Sequence, residues 1–310
     1  MHSSNRYAPF TVKMALQIAA PHTWPASILP VLFASSIACV IAPPLSVSTS
    51  LVCLLIAILM QSAVNTFNDY YDYVKGTDSD EDNVDPSDAV LVYNNVNPQS
   101  ALKLAVGFLV SAFLLGIYII VRSGLIPLVI ALIGAFFVVF YSAGKTPISY
   151  LPLGEIISGF VMGGLITLAT YYALTLALDW MILVWAIPLI IGIGLIMLTN
   201  NTCDIERDLP ANRRTLAVVL GRSRARLLYR ILVATMIAFP VIAVGIRFTS
   251  GLVAIPFMLL ACYPSALALF KNPLNQNARR TAMSQILSLY TIVTVFYVAA
   301  ILVSGYTLTL

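Results

Sequence analysis

Long apolar runs, separated by short polar segments, dominate the chain. A helix needs about 20 apolar residues to cross a bilayer, and nine stretches of the sequence meet this requirement. Short polar breaks that contain glycine, such as VRSG and GIRFTSG, predict tight turns between antiparallel helices. The predicted spans are centred near Leu32, Ile58, Phe108, Leu132, Met162, Leu189, Ile237, Met258 and Val295. The pattern predicts an all-α polytopic membrane protein.

The composition strengthens this prediction. The chain is 60% hydrophobic and only 10% charged, whereas soluble domains carry about 25% charged residues. No polar segment is long enough for a separate soluble domain, so residues 1–310 are expected to form a single integral-membrane domain. The small net charge of +4 gives no indication of a nucleic-acid partner, and the four cysteines form no CxxC pair that would bind a metal.

Lysine and arginine predict the orientation, because they concentrate in cytoplasmic loops. With the N-terminus in the cytoplasm and nine spans, 15 of the 17 basic residues fall on the cytoplasmic side. The C-terminus is then outside. Two cytoplasmic loops are predicted, a strongly acidic one near residues 73–100 and another near residues 201–224. The role of the acidic loop, residues 79–97, is left open, although a lid is one interpretation.

The first of two rows of Asn and Asp side chains closes the second predicted span. Its members are spaced i, i+3, i+4 and i+7, which places them on one face of a helix. Gly76 then permits the helix to stop. This first acidic row consists of Asn65, Asn68, Asp69 and Asp72.

A second acidic row closes the sixth predicted span. Asn200, Asp204 and Asp208 follow one another at intervals of four, with Asn201 beside them. The second and sixth spans run in the same direction, so both rows emerge on the cytoplasmic side and are able to meet.

Two facing rows of carboxylates repel each other unless positive charge lies between them. Oxygen ligands without His or Cys favour a hard cation over zinc. Mg²⁺ binds through one or two carboxylates plus substrate phosphates, so the rows predict a Mg²⁺-bridged diphosphate substrate. Arg213, Arg214 and Lys145 are candidate phosphate ligands, because arginine forks onto phosphate oxygens. The remaining cytoplasmic arginines, Arg279 among them, are expected to be interfacial anchors.

The two rows lie in segments that resemble a known family. NTFNDYYDYVKGTD and NNTCDIERDLPANRRTLAVVLG resemble the two aspartate-rich motifs of the UbiA superfamily of membrane prenyltransferases. PHTWPASILPVL and PLGEIISGFVMGGLI are similar to the 1,4-dihydroxy-2-naphthoate prenyltransferase branch, which serves menaquinone synthesis. The chain departs from the family at Ala20, where an arginine usually precedes the proline, and at Asn212, where a glycine is usual.

The resemblance implies nine helices around a central cavity and transfer of a polyprenyl group, with loss of diphosphate and CO₂, to the naphthoate. It implies two Mg²⁺ ions, a polyprenyl diphosphate and an aromatic acid as substrates, and a bacterial cell membrane with the active site at its cytoplasmic face. Arg214 matches the basic residue before Thr-Leu-Ala. The motif positions on this sequence are Asn65, Asn68, Asp69, Asp72 and Asp78, then Asn200, Asn201, Asp204 and Asp208. Asp69 and Asp72 are expected to hold one ion, and Asp204 and Asp208 the other.

Three further features have candidate roles. Tyr141 is a candidate to face the allylic cation, because aromatic rings attract cations. Glu155 is a candidate to orient or deprotonate a naphthol hydroxyl, with helix capping as the alternative. The small-residue surface of SGFVMGG, residues 158–164, predicts close helix packing that leaves room for a prenyl chain.

Rival interpretations remain open at this point. An ion-coupled transporter normally carries ionisable residues near the middle of its spans, whereas here they gather at helix ends. A prenyltransferase for another acceptor, such as 4-hydroxybenzoate or homogentisate, would share the same two rows. A non-catalytic assembly partner would not need them intact.

Overall fold

The fold is all-helical over residues 7–76, 90–144 and 146–307, which a computed structural model of the chain describes. Asp78, Lys145 and most of the acidic loop lie outside the described residues. One isolated β-bridge joins Ala8 to Val96. The α-helices are α1 (Val12–Ala19), α2 (Pro25–Ile41), α3 (Val47–Lys75), α4 (Val90–Asn94), α5 (Pro98–Ser123), α6 (Ile126–Ser142), α7 (Gly154–Ser158), α8 (Ile166–Thr175), α9 (Met181–Trp185), α10 (Ile187–Cys203), α11 (Ile205–Asp208), α12 (Leu216–Arg247), α13 (Ile255–Lys271) and α14 (Arg279–Thr307).

Six helical stretches within the described ranges are long and apolar enough to cross a membrane. These are Val47–Lys75, Pro98–Ser123, Gly154–Thr175, Leu216–Arg247, Thr249–Lys271 and Gln276–Gly305. A bent pair, Val12–Thr23 with Pro25–Ile41, is a seventh candidate. The apolar helices α6 and α10 are shorter, at 17 residues each. Every predicted span centre lies in one of these helices, so the described chain is compatible with nine spans.

The first predicted span is broken rather than continuous. Its two parts meet at an angle of 55°. Ala20 has a left-handed backbone, with φ of 48°, and Pro21 and Pro25 each begin a new helical segment. Proline has no N–H to donate and is favoured at the start of a helix, so this sequence stops one helix and begins the next.

The predicted close packing of the SGFVMGG segment is confirmed. Residues Gly159–Leu165 form a π-helical segment between α7 and α8. A Cβ atom on Gly159 would lie 2.5 Å from the Ile190 carbonyl oxygen, and one on Gly163 would lie 2.7 Å from the Ile190 backbone. Only glycine lets α10 approach this closely, and the contact brings α7 beside the end of α10 that carries the second acidic row.

Candidate active site

The first acidic row lies on the C-terminal half of α3 as predicted, and the helix ends at Lys75, before Gly76 at φ 69°. The Asn65 amide donates to the Ala19 carbonyl at 3.0 Å and to the Thr23 hydroxyl at 2.8 Å. These bonds fasten α3 to the break between α1 and α2.

Asn68 fastens α3 to α6 in the same way. Its Oδ1 accepts a 2.7 Å hydrogen bond from the Ser142 hydroxyl. Asp69, which is only 7% exposed, and Asp72 share the face of α3 that these two amides occupy. The amides of the row therefore position the helix, and its carboxylates face the interior between the helix ends.

The second acidic row is not one continuous helical face, which corrects the prediction. The helix α10 ends at Cys203, and Asp204 has φ −101° and ψ 14° before the short α11 begins. Asn200 and Asp204 both accept hydrogen bonds from Arg279. Asp208 contacts a different cation, so the break divides the row between two arginines.

Asp208 is buried, at 3% exposure. Its Oδ1 lies 3.3 Å from Nε of Arg213, and its Oδ2 accepts from the Thr215 hydroxyl at 3.4 Å. Burial raises the pKa of Asp208 to about 6, although the Arg213 guanidinium acts in the opposite direction. Burial therefore makes the charged form of this carboxylate costly in spite of the nearby arginine.

Charges from both acidic rows act on Arg213. Burial lowers the pKa of this guanidinium, but Asp208 and Asp72, one from each row, raise it above its ordinary value. The ring of Tyr150 lies between two cations, with Arg213 Cζ 5.1 Å and Lys75 Nζ 5.2 Å from its centre. The ends of α3 and α11 thus converge on one small region.

A buried carboxylate lies directly beside this region. Glu155, 4% exposed, accepts at Oε1 from the Asn201 amide at 2.8 Å. Its Oε2 is buried and has no hydrogen-bond partner among the described residues. Tyr141 is close, because a Cβ on Gly154 would lie 3.6 Å from the Tyr141 hydroxyl. The structure brings Glu155, Asn201 and Tyr141 together at the start of α7.

The carboxylates fit Mg²⁺ shared with a phosphate better than a protein-only metal site. Within residues 7–76, 90–144 and 146–307, no three His, Cys, Asp or Glu side chains form a group that would hold an ion alone. Mg²⁺ requires only one or two carboxylates when phosphate and water complete its shell. Asp204 Oδ1 is buried and has no hydrogen-bond partner in the described chain, so an oxygen ligand is ready for such an ion.

The other predicted phosphate ligands have different outcomes. Arg214 is exposed, and its backbone N–H donates to the Tyr150 carbonyl at 2.9 Å. Asp78 and Lys145 lie outside the described residues. The interpretation of Arg279 as an anchor is wrong, because its side chain binds Asn200 and Asp204. Sequence spacing gave no signal for Arg279 or Tyr150, which reach the site from other segments, whereas Lys75 is the last residue of α3 itself.

An apolar cavity of about 490 Å³ extends from the first acidic row between α3, α5, α6 and α8. Gln61 lines its polar end and donates to Asn65 Oδ1 at 3.3 Å. Met60, Ala131 and Met162 line the apolar part. The cavity therefore reaches within one helical turn of the predicted diphosphate ligands.

Comparison with known proteins gives a consistent family. The family model described as the UbiA prenyltransferase family matches residues 27–292. The chain is 34% identical over 209 residues to the 1,4-dihydroxy-2-naphthoate octaprenyltransferase of Bacillus subtilis. The aligned region covers 67% of this chain and 66% of that protein. The chain is 30% identical over 264 residues to the protein of the same name from Haemophilus influenzae. That aligned region covers 81% of this chain and 84% of the Haemophilus protein.

Solved structures share the fold. A UbiA homolog from Archaeoglobus fulgidus bound to DMAPP and Mg²⁺ superposes with a TM-score of 0.61 at 17% identity, covering 92% of this chain and 99% of that chain. The apo structure of a UbiA homolog from Aeropyrum pernix K1 superposes with a TM-score of 0.65 at 14% identity, covering 87% and 96%.

Proposed function

Because the chain belongs to the UbiA prenyltransferase family, we propose that it transfers a polyprenyl group from polyprenyl diphosphate to 1,4-dihydroxy-2-naphthoate. Diphosphate and CO₂ leave, and the product is the reduced, quinol form of demethylmenaquinone, because both ring oxygens remain hydroxyls. The names of the Bacillus and Haemophilus relatives support this acceptor. The observation that carries the proposal is the convergence of both helix ends on the Tyr150 ring, which Lys75 of α3 and Arg213, the partner of Asp208, both approach. A diphosphate is small and must touch both rows at once.

The acidic rows bind the diphosphate and orient its C–O bond. Asp69 and Asp72 would hold one Mg²⁺ and Asp204 and Asp208 a second, and the ions would supply electrostatic stabilisation of the charge that develops on the leaving group. A homolog of the same fold bound to DMAPP and Mg²⁺ supports Mg²⁺ as the ion. Arg213 donates to the phosphate oxygens, with Arg214 and Lys145 as further donors. Asp78 would reach the diphosphate through Mg²⁺, and Asn65, Asn68 and Asn200 fix the helix ends.

The prenyl chain occupies the apolar cavity. The cavity begins one turn from Asn65 and is lined mainly by aliphatic side chains, which match a polyprenyl chain and exclude water. Exclusion of water protects the allylic cation from hydrolysis. The Tyr141 hydroxyl lies beside Gly154, next to Glu155, and the face of its ring stabilises the positive charge.

Glu155 activates the acceptor. Its Oε2 takes the proton of the hydroxyl next to the carboxylated ring carbon, while that carbon forms the new bond to the prenyl group. The broken C–O bond leaves its electron pair on the diphosphate. Loss of CO₂ then restores the aromatic ring, and the proton returns from Glu155 to the ring oxygen. Asn201 keeps the carboxylate in place throughout.

The site lies at the cytoplasmic face of a bacterial cell membrane, with the N-terminus inside and the C-terminus outside. The support is the placement of 15 of the 17 basic residues on one side of the predicted spans.

The test is a product assay with membranes that contain the chain. Mg²⁺, labelled octaprenyl diphosphate and one of three acceptors are added: 1,4-dihydroxy-2-naphthoate, 4-hydroxybenzoate or homogentisate. We expect a product only with the naphthoate, and its mass should show the loss of CO₂. A chelator should abolish it. A product with another acceptor, or none with any acceptor, would contradict the proposal.

A further inference from the structure

Arg279 occupies a position that neither helix stability nor membrane anchoring explains. It is the first residue of α14, where a positive charge opposes the helix dipole. Its neighbour Arg280 is exposed, as an anchor should be. The side chain of Arg279 instead turns towards the second acidic row and is largely covered there, at 21% exposure.

The guanidinium of Arg279 binds two members of that row at once. Its Nε lies 3.0 Å from Oδ1 of Asn200 and 3.0 Å from Oδ2 of Asp204. Its Nη2 donates to the same Asn200 oxygen at 2.6 Å. A guanidinium has the rigid fork of donors that such a pair of acceptors needs, whereas the ammonium of lysine is a point charge.

Asp204 needs this support because the backbone does not hold it in a regular helix. It lies at the break between α10 and α11, with φ −101° and ψ 14°. While Arg279 holds Oδ2, the other oxygen, Oδ1, stays buried and has no hydrogen-bond partner in the described part of the chain. The contact with Arg279 thus fixes Oδ2 of Asp204 and leaves Oδ1 available to bind a cation.

The segment that carries Arg279 is itself docked on α10 and α11. Arg222 Nε donates to the Leu274 carbonyl at 2.9 Å, and the same guanidinium donates to both carboxylate oxygens of Glu206 at 2.6 and 2.8 Å. It also donates to the Thr202 carbonyl at 3.1 Å. The start of α14 is therefore held against the second acidic row independently of Arg279.

We propose that Arg279 is a positioning residue for the cation site, holding Asn200 and Asp204 so that Asp204 Oδ1 points at the ion. This inference rests on the proposed function only in that the ion is taken to be the Mg²⁺ of a diphosphate. Side chains that orient a metal ligand typically change metal affinity by about 10–100-fold when they are replaced.

The test is the binding of Mn²⁺, used as a spectroscopic substitute for Mg²⁺, to the purified full chain in the presence of inorganic diphosphate. Bound Mn²⁺ is measured by electron paramagnetic resonance. We expect Arg279→Gln to weaken Mn²⁺ binding by about 10-fold or more. The Mn²⁺ affinity of Arg279→Lys should lie between those of Arg279→Gln and the wild type, because lysine keeps the positive charge but lacks the forked donors of the guanidinium. The matched control Arg280→Gln should bind as the wild type does.

Thermal unfolding of each variant separates loss of the site from loss of the fold. If Arg279→Gln does not fold, Arg279→Lys decides the question. Equal Mn²⁺ affinity in the wild type and Arg279→Lys would then overturn the proposal. The proposal would also be overturned if Arg280→Gln weakened Mn²⁺ binding as much as the Arg279 variants do. If the wild type binds Mn²⁺ but forms no prenylated product, the proposed function fails, and the comparison of the arginine variants remains valid.

Discussion

Glu155 is the residue whose surroundings argue most directly for chemistry. A carboxylate that is 4% exposed and has one buried oxygen without a hydrogen-bond partner in the described chain is costly. Capping of α7, the alternative suggested by sequence, would place the side chain at backbone N–H groups. The carboxylate instead receives the Asn201 amide, next to the second acidic row, where an acceptor ring would meet the prenyl carbon.

Replacement of Glu155 by Gln should remove the base and keep the shape of the site. We expect kcat for the naphthoate to fall by about 100-fold or more near neutral pH. Activity should recover as the pH rises and the acceptor hydroxyl ionises by itself, and KM for the prenyl diphosphate should stay the same. A pH profile of steady-state rates measures this, with the exposed Asp179→Asn as the control. Parallel profiles for wild type and Glu155→Gln would show that Glu155 is not the base.

Spacing along the chain revealed only part of the site. The rows that contain Asp72 and Asp208 were found because one helix carries each group at intervals of three or four. Arg279 and Tyr150 were missed because they approach from segments far along the chain, and no local pattern records such a contact. Arg213 was found from its type and place, but its contacts with Asp208 and the Tyr150 ring appear only in the folded chain.

At the scale of helices, hydrophobic periodicity predicted the elements well and their breaks poorly. The turn at VRSG is confirmed, with α5 ending at Ser123 and Gly124 at φ 80°. The break at Asp204 was not predicted, because Asn200, Asp204 and Asp208 fit an unbroken helix equally well. At the break, Asp204 contacts Arg279 and Asp208 contacts Arg213, and such contacts with distant segments leave no local pattern.

The cavity between helices gives a prediction about chain length. Ala131 lines it 11 positions before the end of α6 at Ser142, about 16 Å along the helix axis at 1.5 Å per residue. We expect Ala131→Phe to lower kcat/KM for octaprenyl diphosphate by about 10-fold, because overpacking costs about 1–3 kcal/mol. Geranyl diphosphate should be too short to reach the new ring.

The matched control is Val129→Phe, on the exposed side of the same helix. It should leave both substrates unaffected. Competition between the two diphosphates in one reaction, with products separated by mass, gives the ratio of the two rates. If Ala131→Phe slows both substrates equally, the prenyl chain does not occupy this cavity.

For the whole molecule, sequence predicted the fold class and the family. Apolar runs of span length predicted the all-α membrane architecture, and the helices of the described residues together with the shared fold of the UbiA homologs confirm it. The two aspartate-rich segments predicted a prenyltransferase, and the match over residues 27–292 confirms it. The 55° angle of the first span and the identity of α10 as the partner of Gly163 appear only in the folded chain, because a linear pattern does not encode angles or packing partners.

The central proposal for the whole molecule is that both acidic rows hold one diphosphate. The direct measurement is the Mg²⁺-dependent affinity of the purified chain for farnesyl thiodiphosphate, an analogue whose bond to carbon resists cleavage. Asp72→Asn removes a carboxylate from the first row and Asp208→Asn one from the second, and each should weaken binding by at least about 10-fold, or 1.4 kcal/mol. Asp179→Asn should have no effect. If either row variant binds the analogue as tightly as the wild type, the rows do not share one diphosphate.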